Sequence, residues 1–432
     1  MDRFLGHRYW GRAWVIQEIA RGREVHILYG SQFLDWKQVA YSFGLMTQPP
    51  LYQYMNKNLI VDVARRLSTG EPGDSVKAMS ATAIDSTKIP FLDKTKRVRS
   101  QGLLPLTAAL EWSSASEATK PSDKIFALRG LVLHDSDLTS KMAYALRPDS
   151  SSSYTRVFTR VAKFLLSTDP EYLFRRAGVG FQRREPNDNT VLPSWVPDWT
   201  QQLSVIELEP QPYRAGGMGK FKADILDNGH ICIPVIEICA LVSLTEPMVP
   251  TAKNDSGMQT YFVKSALALF DSEPDIYLPQ GQTRTEAFWR TIISNTVRRT
   301  PTTALQYPVP LNWNEKFESW KTSILDPDFD HVQNLQNFEP RGDRGQDFNL
   351  NFIVACQSRC FAISEGGYMV LVPELAKKGD KVCVIPGIGL PVVFRKNEKG
   401  DLWVYVGTCY VHGLMDGEAI NLGRPVMDYV VV

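Results

Sequence analysis

Apolar residues recur mostly at helical spacing through the first half of the chain and give way to short alternating runs near its end. Trp10, Ala13, Trp14 and Gln17 fall at i, i+3, i+4 and i+7 and predict one short helix with these side chains on a shared face. Glu18 stands one turn after Trp14, so the spacing places its carboxylate beside the indole. An acid there can be desolvated and prepared for chemistry, or it can be the solvated flank of an amphipathic helix; spacing alone favours the second. Val25, Ile27 and Tyr29 face one way and Leu28 the other, the pattern of a strand in a parallel α/β sheet, yet no earlier strand precedes it. Asp35 is placed to cap a helix carrying Trp36, Val39, Ala40 and Phe43. A further helix is expected from Leu51 to about Ser68, then an exposed irregular loop over 70–100.

Helical periodicity resumes at Leu104–Trp112 and at Ser122–Leu131, the latter ended by Gly130. It returns in a long helix with Tyr154, Val157, Phe158, Val161, Ala162 and Leu165 on its apolar face. Leu192–Trp199 holds two prolines and two tryptophans and reads as an extended segment pinned to a core by its indoles. Phe221–Leu226, the turn Asp227-Asn228-Gly229 and His230–Leu244 predict a hairpin. Helices are expected over 257–271, 286–298 and 313–325, with polar segments at 300–312 and 326–347. From Phe352 one helix leads to strands Tyr368–Val372, Lys381–Ile385, Pro391–Arg395 and Leu402–Val406, a small antiparallel meander or partial barrel.

Composition adds limits. At 432 residues the chain allows about two or three domains of ~150 residues. With 48 basic against 47 acidic residues it lacks the charge of a general nucleic-acid binder. No run reaches the ~18 apolar residues of a membrane helix, and six scattered cysteines fit a reducing, cytoplasmic setting. Lys94, Lys96, Arg97 and Arg99 form a short basic cluster, either a targeting or anion-binding patch or a solvated loop.

Catalytic signatures are missing. Arg214–Phe221 approaches a phosphate loop but has Arg for the first glycine and Phe where Ser or Thr would bind magnesium. Gly178-Val179-Gly180 lacks the third glycine of a dinucleotide fingerprint. Cys356 and Cys360, at i and i+4 of an expected helix, have no partner pair at metal-ligand spacing and read as buried thiols. His230 with Cys232, and His412 near Asp416 and Glu418, offer acid–base chemistry on paper; a structural role is the commoner use of such residues.

Several segments, in this order, resemble fungal heterokaryon-incompatibility (HET) proteins. Arg12-Ala13-Trp14-Val15-Ile16-Gln17-Glu18 is similar to the block that closes the HET domain, and Asp123–Leu131 to the family's Asp-Lys-Ile-aromatic-Ala-Leu-x-Gly-Leu segment. Pro193-Ser194-Trp195-Val196-Pro197-Asp198-Trp199, Phe288-Trp289-Arg290-Thr291, Gly379-Asp380 and Gly413-Leu414-Met415-Asp416-Gly417-Glu418 match later signatures. The earlier HET blocks are absent from this sequence, and Val370-Leu371-Val372-Pro373 stands where Gly-Leu-Gly-Pro is usual.

The resemblance implies an α+β fold. Its expected parts are a truncated α/β, Toll/interleukin-receptor-like (TIR-like) remnant over 1–45, a helical region over 46–200, a mixed region with the hairpin over 201–340, and a helix plus β meander over 341–432. HET domains look like TIR domains, some of which cleave NAD with a glutamate in a Trp-x-x-x-Glu setting, so Glu18 would hold the catalytic position and Trp14 would be its neighbour. The implied motif-bearing residues are Arg12, Trp14, Gln17, Trp195, Asp198, Trp199, Gly413, Met415, Gly417 and Glu418. The leading expectation is a cytoplasmic protein of allorecognition and cell death, non-catalytic in this form, signalling through a protein partner, with neither nucleic acid nor membrane involved. The alternatives are an NAD-cleaving hydrolase using Glu18, and a protein-interaction module built on the C-terminal strands and the Trp-rich middle.

Overall fold

The alternating apolar residues of the chain's end need a partner on each face, and in the computed structural model they find one by closing a sheet into a ring. The structure describes residues 4, 7–46, 92–133, 140–149, 152–180, 192–201, 208, 212–249, 255–270, 275–297, 305–326, 346–397 and 401–432. The chain divides into two units, Met1–Phe164 with Asp330–Phe338, and Leu165–Phe329 with Glu339–Val432. Both helices and sheets are present, as an α+β chain requires.

In the first unit the opening segment is two elements, not one helix. A 3₁₀ turn, Arg8–Gly11, ends at an extended Arg12, and the α-helix is Ala13–Arg21. The break is made by backbone bonds to Glu117: Ala13 N–H donates to its carbonyl at 2.9 Å, and Gly11 accepts its N–H at 2.5 Å. Trp10 therefore does not share the helix face with Trp14. The buried face is Ala13, Val15, Ile16, Ile19 and Ala20, leaving Trp14 and Gln17 half-buried and Glu18 exposed.

The parallel strand expected after this helix is a correction. β1 (His26–Tyr29) pairs antiparallel with β2 (Gln32–Asp35) in a two-stranded hairpin. Gly30, at φ +61°, supplies the left-handed turn residue, so the strand finds its partner in the residues that follow. Leu28 and Phe33 stay exposed, whereas a parallel α/β strand is covered on both faces. Asp35 does cap, its carboxylate accepting the Lys37 N–H at 2.7 Å.

The helix expected over 51–68 and most of the 70–100 loop lie outside the described residues. Positions 92–101 are helical, not loop, and the basic cluster is spent on the fold. Lys96 Nζ donates to the carbonyls of Ile19 (3.2 Å) and Gly22, capping helix Ala13–Arg21. Arg97 pairs with Asp93 at 2.9 Å, Arg99 Nε donates to Gly130 O at 3.2 Å, and Lys94 lies over Trp112. Ser122–Leu131 is two short helices, Asp123–Phe126 and Arg129–Val132, with Gly130 inside the second.

In the second unit, β3 (Asp224–Ile225) and β4 (Ile231–Leu244) form the expected hairpin, shorter on its first strand. A two-stranded β5 (Ile276–Tyr277) and β6 (Gln282–Thr283) precede helix Arg284–Ile292. Helix Trp313–Leu325 falls where periodicity puts it. Helix Gln346–Cys356 leads into β7 (Arg359–Ser364), β8 (Met369–Pro373), β9 (Lys381–Val384), β10 (Val392–Lys396), β11 (Trp403–Thr408), β12 (Tyr410–Val411) and β13 (Val426–Val431). Cys360 thus lies on a strand, not one turn beyond Cys356 on a helix.

The expected C-terminal meander becomes something larger. β4 pairs with β13, β13 with β11, β11 with β10, β10 with β9, and β9 returns to β4, a closed ring of five strands. All these pairings are antiparallel except β11 with β13. The far end of β4 continues into β7, β8 and β12. Alternation then places Cys360, Ala362, Val370 and Val372 in the core shared with the ring, and Phe361, Met369 and Leu371 in an aromatic core with Phe288, Trp289 and Phe317.

Candidate functional site

The two groups of sequence candidates sit in different units and are described separately. In the first unit, the Arg12–Glu18 block meets the Asp123–Leu131 block. Trp14 Nε1–H donates to Asp123 Oδ2 at 3.1 Å, and Gln17 Oε1 accepts the Gly130 N–H at 2.9 Å. A Cβ on Gly130 would stand 2.6 Å from Gln17 Oε1, so the glycine is what lets the two segments touch. Arg12 acts through its extended backbone. Glu18 is apart from these contacts: its exposed carboxylate accepts the Tyr9 hydroxyl at 3.0 Å. Burial, then the adjacent Glu18 charge, push the Tyr9 phenol up to about 12. A cavity of about 230 Å³ is lined by Trp14, Gln17, Arg21, Phe126, Arg129 and Gly130, among others, but not by Glu18.

The second unit holds a polar cavity of about 230 Å³ that gathers three of the C-terminal motif residues, Gly413, Met415 and Glu418. Gly413 (φ +89°) and Gly417 (φ +94°) turn the backbone, which fixes glycine at both motif positions. Met415 is buried, and its carbonyl accepts the Arg214 N–H at 2.7 Å. Glu418 accepts the Asp416 N–H at 2.7 Å, and Asp416 accepts the Tyr307 hydroxyl at 2.7 Å. Burial, and secondarily Asp416, raise the Glu418 carboxyl above its usual range.

His412 is 3% exposed beside the cavity. Its Nδ1 meets the Tyr410 hydroxyl at 2.9 Å, and its Nε2 meets the Gln282 amide. Burial, with Arg290 adding to it, pulls the imidazole down to about 3, so it is neutral at pH 7 and a poor general base. Arg290 enters from helix Arg284–Ile292 and is 8% exposed. Its Nε donates to Glu286 at 2.9 Å, and its Nη1 to Asn295 (2.8 Å) and the Val309 carbonyl (2.6 Å). Sequence reasoning singled out neither Arg290 itself nor Tyr307 and Gln282; the one available signal was the Phe-Trp-Arg-Thr block.

The remaining motif residues are not at this cavity. Trp195 is fully buried and Trp199 nearly so, as pinned indoles should be, and Asp198 accepts from Thr200 N–H and hydroxyl at 2.9 and 2.6 Å. Ser194, just before Trp195, accepts the Tyr405 N–H at 2.9 Å and donates its hydroxyl to the Val432 carbonyl. Asp380 holds Arg395 in a two-bond fork at 2.8 and 2.7 Å.

The glycine-rich Arg214–Phe221 segment uses its amides on the barrel, Ala215 and Gly216 donating to the Gly389 and Ile388 carbonyls. Cys356 and Cys360 donate to carbonyls, and burial pushes both thiols up. Among the described residues no group of three or more His, Cys, Asp or Glu could hold a metal ion, and no helix is long and apolar enough to cross a membrane.

Residues 313–431 match the Het-6 beta-barrel domain. The ring-closing β4 lies outside that span. The chain is also 24% identical, over 356 residues, to heterokaryon incompatibility protein 6, OR allele, of Neurospora crassa, covering 72% of this chain and 51% of that protein. It thus spans about half the length of this curated relative. No solved structure matches. Both findings agree with the resemblance carried by the sequence blocks: the chain is similar to a heterokaryon-incompatibility protein and, over 313–431, to the Het-6 beta-barrel domain.

Proposed function

We propose that this chain acts in heterokaryon incompatibility as a non-catalytic part of a cytoplasmic allorecognition and cell-death pathway, engaging a protein partner. The similarity to the Neurospora protein supports the pathway. The use of the Trp14–Glu18 block supports the non-catalytic role. Trp14 and Gln17 join two sequence blocks, while Glu18 lines no cavity described in this unit. A carboxylate that works on a substrate needs a site in which binding groups converge with it. Six unpaired thiols suit a reducing compartment.

The test pairs a cell assay with a chemical one. Expressed in a filamentous fungus of opposite incompatibility type, the chain and its Glu18→Ala form should give the same growth phenotype. Purified, neither should consume NAD. NAD turnover abolished by Glu18→Ala would overturn the non-catalytic role; the absence of any incompatibility phenotype with every opposite-type host would overturn the pathway.

A further inference from the structure

The polar cavity of the second unit brings groups of both charges into one lining, a feature independent of the incompatibility reading. One wall donates. Arg290 is 8% exposed, spends Nε and Nη1 on Glu286, Asn295 and Val309, and has Nη2 unused among the described hydrogen bonds. With the Gln282 amide N–H directed at His412 Nε2, the neutral imidazole keeps its proton on Nδ1 and gives it to the Tyr410 oxygen. The Tyr410 hydroxyl proton is then left over, on a residue that also lines the cavity. Other groups in the lining accept. Asp416 and Glu418 line the cavity together, close enough for each charge to oppose the other, and among the described residues the only lysine or arginine in the lining is Arg290.

Charge decides the class of ligand. Arg290, though paired with Glu286, keeps Nη2 for an acceptor, and Asp416 and Glu418 offer acceptors to a cation, so the lining suits one ligand that carries both signs. A plain anion would gain Arg290 Nη2 but meet the carboxylates of Asp416 and Glu418. A plain cation would leave Arg290 Nη2 and the Tyr410 hydroxyl proton unmatched, and among the described residues no group of three or more His, Cys, Asp or Glu could hold a metal ion. The volume, about 230 Å³, far exceeds the ~10–15 Å³ that one water needs. Gly413 keeps the wall open at Gln280, whose Cγ would lie 3.1 Å from an added Cβ.

We propose that this cavity binds a small zwitterion of the amino-acid class, its carboxylate on Arg290 Nη2 and the Tyr410 hydroxyl and its ammonium on Asp416 and Glu418.

Calorimetry and thermal shift on the full chain test this with L-alanine, L-lysine and L-glutamate, and with acetate, methylamine and glycerol as partial ligands. At least one amino acid should bind at least tenfold more tightly than acetate or methylamine alone. The Asp416→Asn/Glu418→Gln double variant should weaken that binding at least tenfold while melting within a few degrees of the parent. Tyr410→Phe, which keeps the ring, should weaken it severalfold. No stabilisation by any amino acid at 10 mM overturns the proposal. Acetate, methylamine or glycerol binding as tightly as the amino acids, or unchanged affinity in the double variant, overturns it too.

Discussion

His412 shows at residue scale how a side chain can sit in a cavity and still be unfit for acid–base work. Tyr410, Gln282, Tyr277 and Arg290 surround it, and the first three contact it while the fourth opposes its protonation. Its folded pKa of about 3 lies below the ordinary 6.5, so between these values the unfolded chain binds the extra proton. Stability is therefore unaffected by this group above about pH 6.5 and falls as the pH is lowered toward 3. At ~1.4 kcal/mol per pH unit the full loss is on the order of 5 kcal/mol. Urea unfolding of the parent and of His412→Gln at pH 7.5, 6, 5 and 4 checks this. The parent should lose stability more steeply than the variant below pH 6.5, and parallel slopes would count against a buried neutral imidazole. The residue types here were legible in sequence, since Gly413, Met415 and Glu418 were singled out as motif positions. What was not legible was Arg290, which reaches the same cavity from more than 120 residues away, because spacing along a chain says nothing about contacts made by folding.

Between elements, the bracket from helix Ala13–Arg21 to helix Arg129–Val132 rests on a missing side chain. Gly130→Ala would put a methyl group 2.6 Å from Gln17 Oε1 and 2.9 Å from Arg21 Cδ. Overpacking of this kind costs about 1–3 kcal/mol, so the variant should unfold at lower denaturant, and Gln17→Ala in the same chain should recover part of that loss. Equal midpoints for Gly130→Ala and the double variant would show that Gln17 is not the clashing partner. The end of helix Ala13–Arg21 offers a second check. Lys96 Nζ caps it through the carbonyls of Ile19 and Gly22, so Lys96→Met should cost about 1 kcal/mol, whereas Lys94→Met, which loses only a contact over Trp112, should cost less. Helix Ala13–Arg21 was legible from its periodicity, but its start was not. The extended Arg12 is imposed by Glu117, a tertiary bond that local pattern does not carry. Likewise the apolar run at 25–29 gave a strand but not its partner, which Gly30 selects by turning the chain back.

Across the second unit, the ring depends on a strand that the sequence pattern passed over. β13 carries Val426, Met427 and Asp428 exposed and only Tyr429 and Val431 buried, too weak an alternation to stand out. Yet it fills the gap between β4 and β11, six registered pairs on one side and Trp403 opposite Val431 on the other. Tyr429 stacks on Trp403 at 3.9 Å and packs edge-on against Phe394, and the Val432 backbone bonds Ser194 and Trp403. Removing 426–432 would expose two strand edges in the middle of the sheet and strip an aromatic cluster, the costliest kinds of loss for a barrel. The truncated chain should lose the cooperative melt of this unit and become sensitive to limited proteolysis across 381–411. As a control, Val426→Ser changes a side chain 57% exposed and should shift the midpoint by no more than about 2 °C. If the truncated chain melts as the parent does, the ring is held by β4, β9, β10 and β11 alone. If it fails while Val426→Ser is silent, closure by β13 is what makes a barrel of strands whose alternation, taken singly, indicated only a meander.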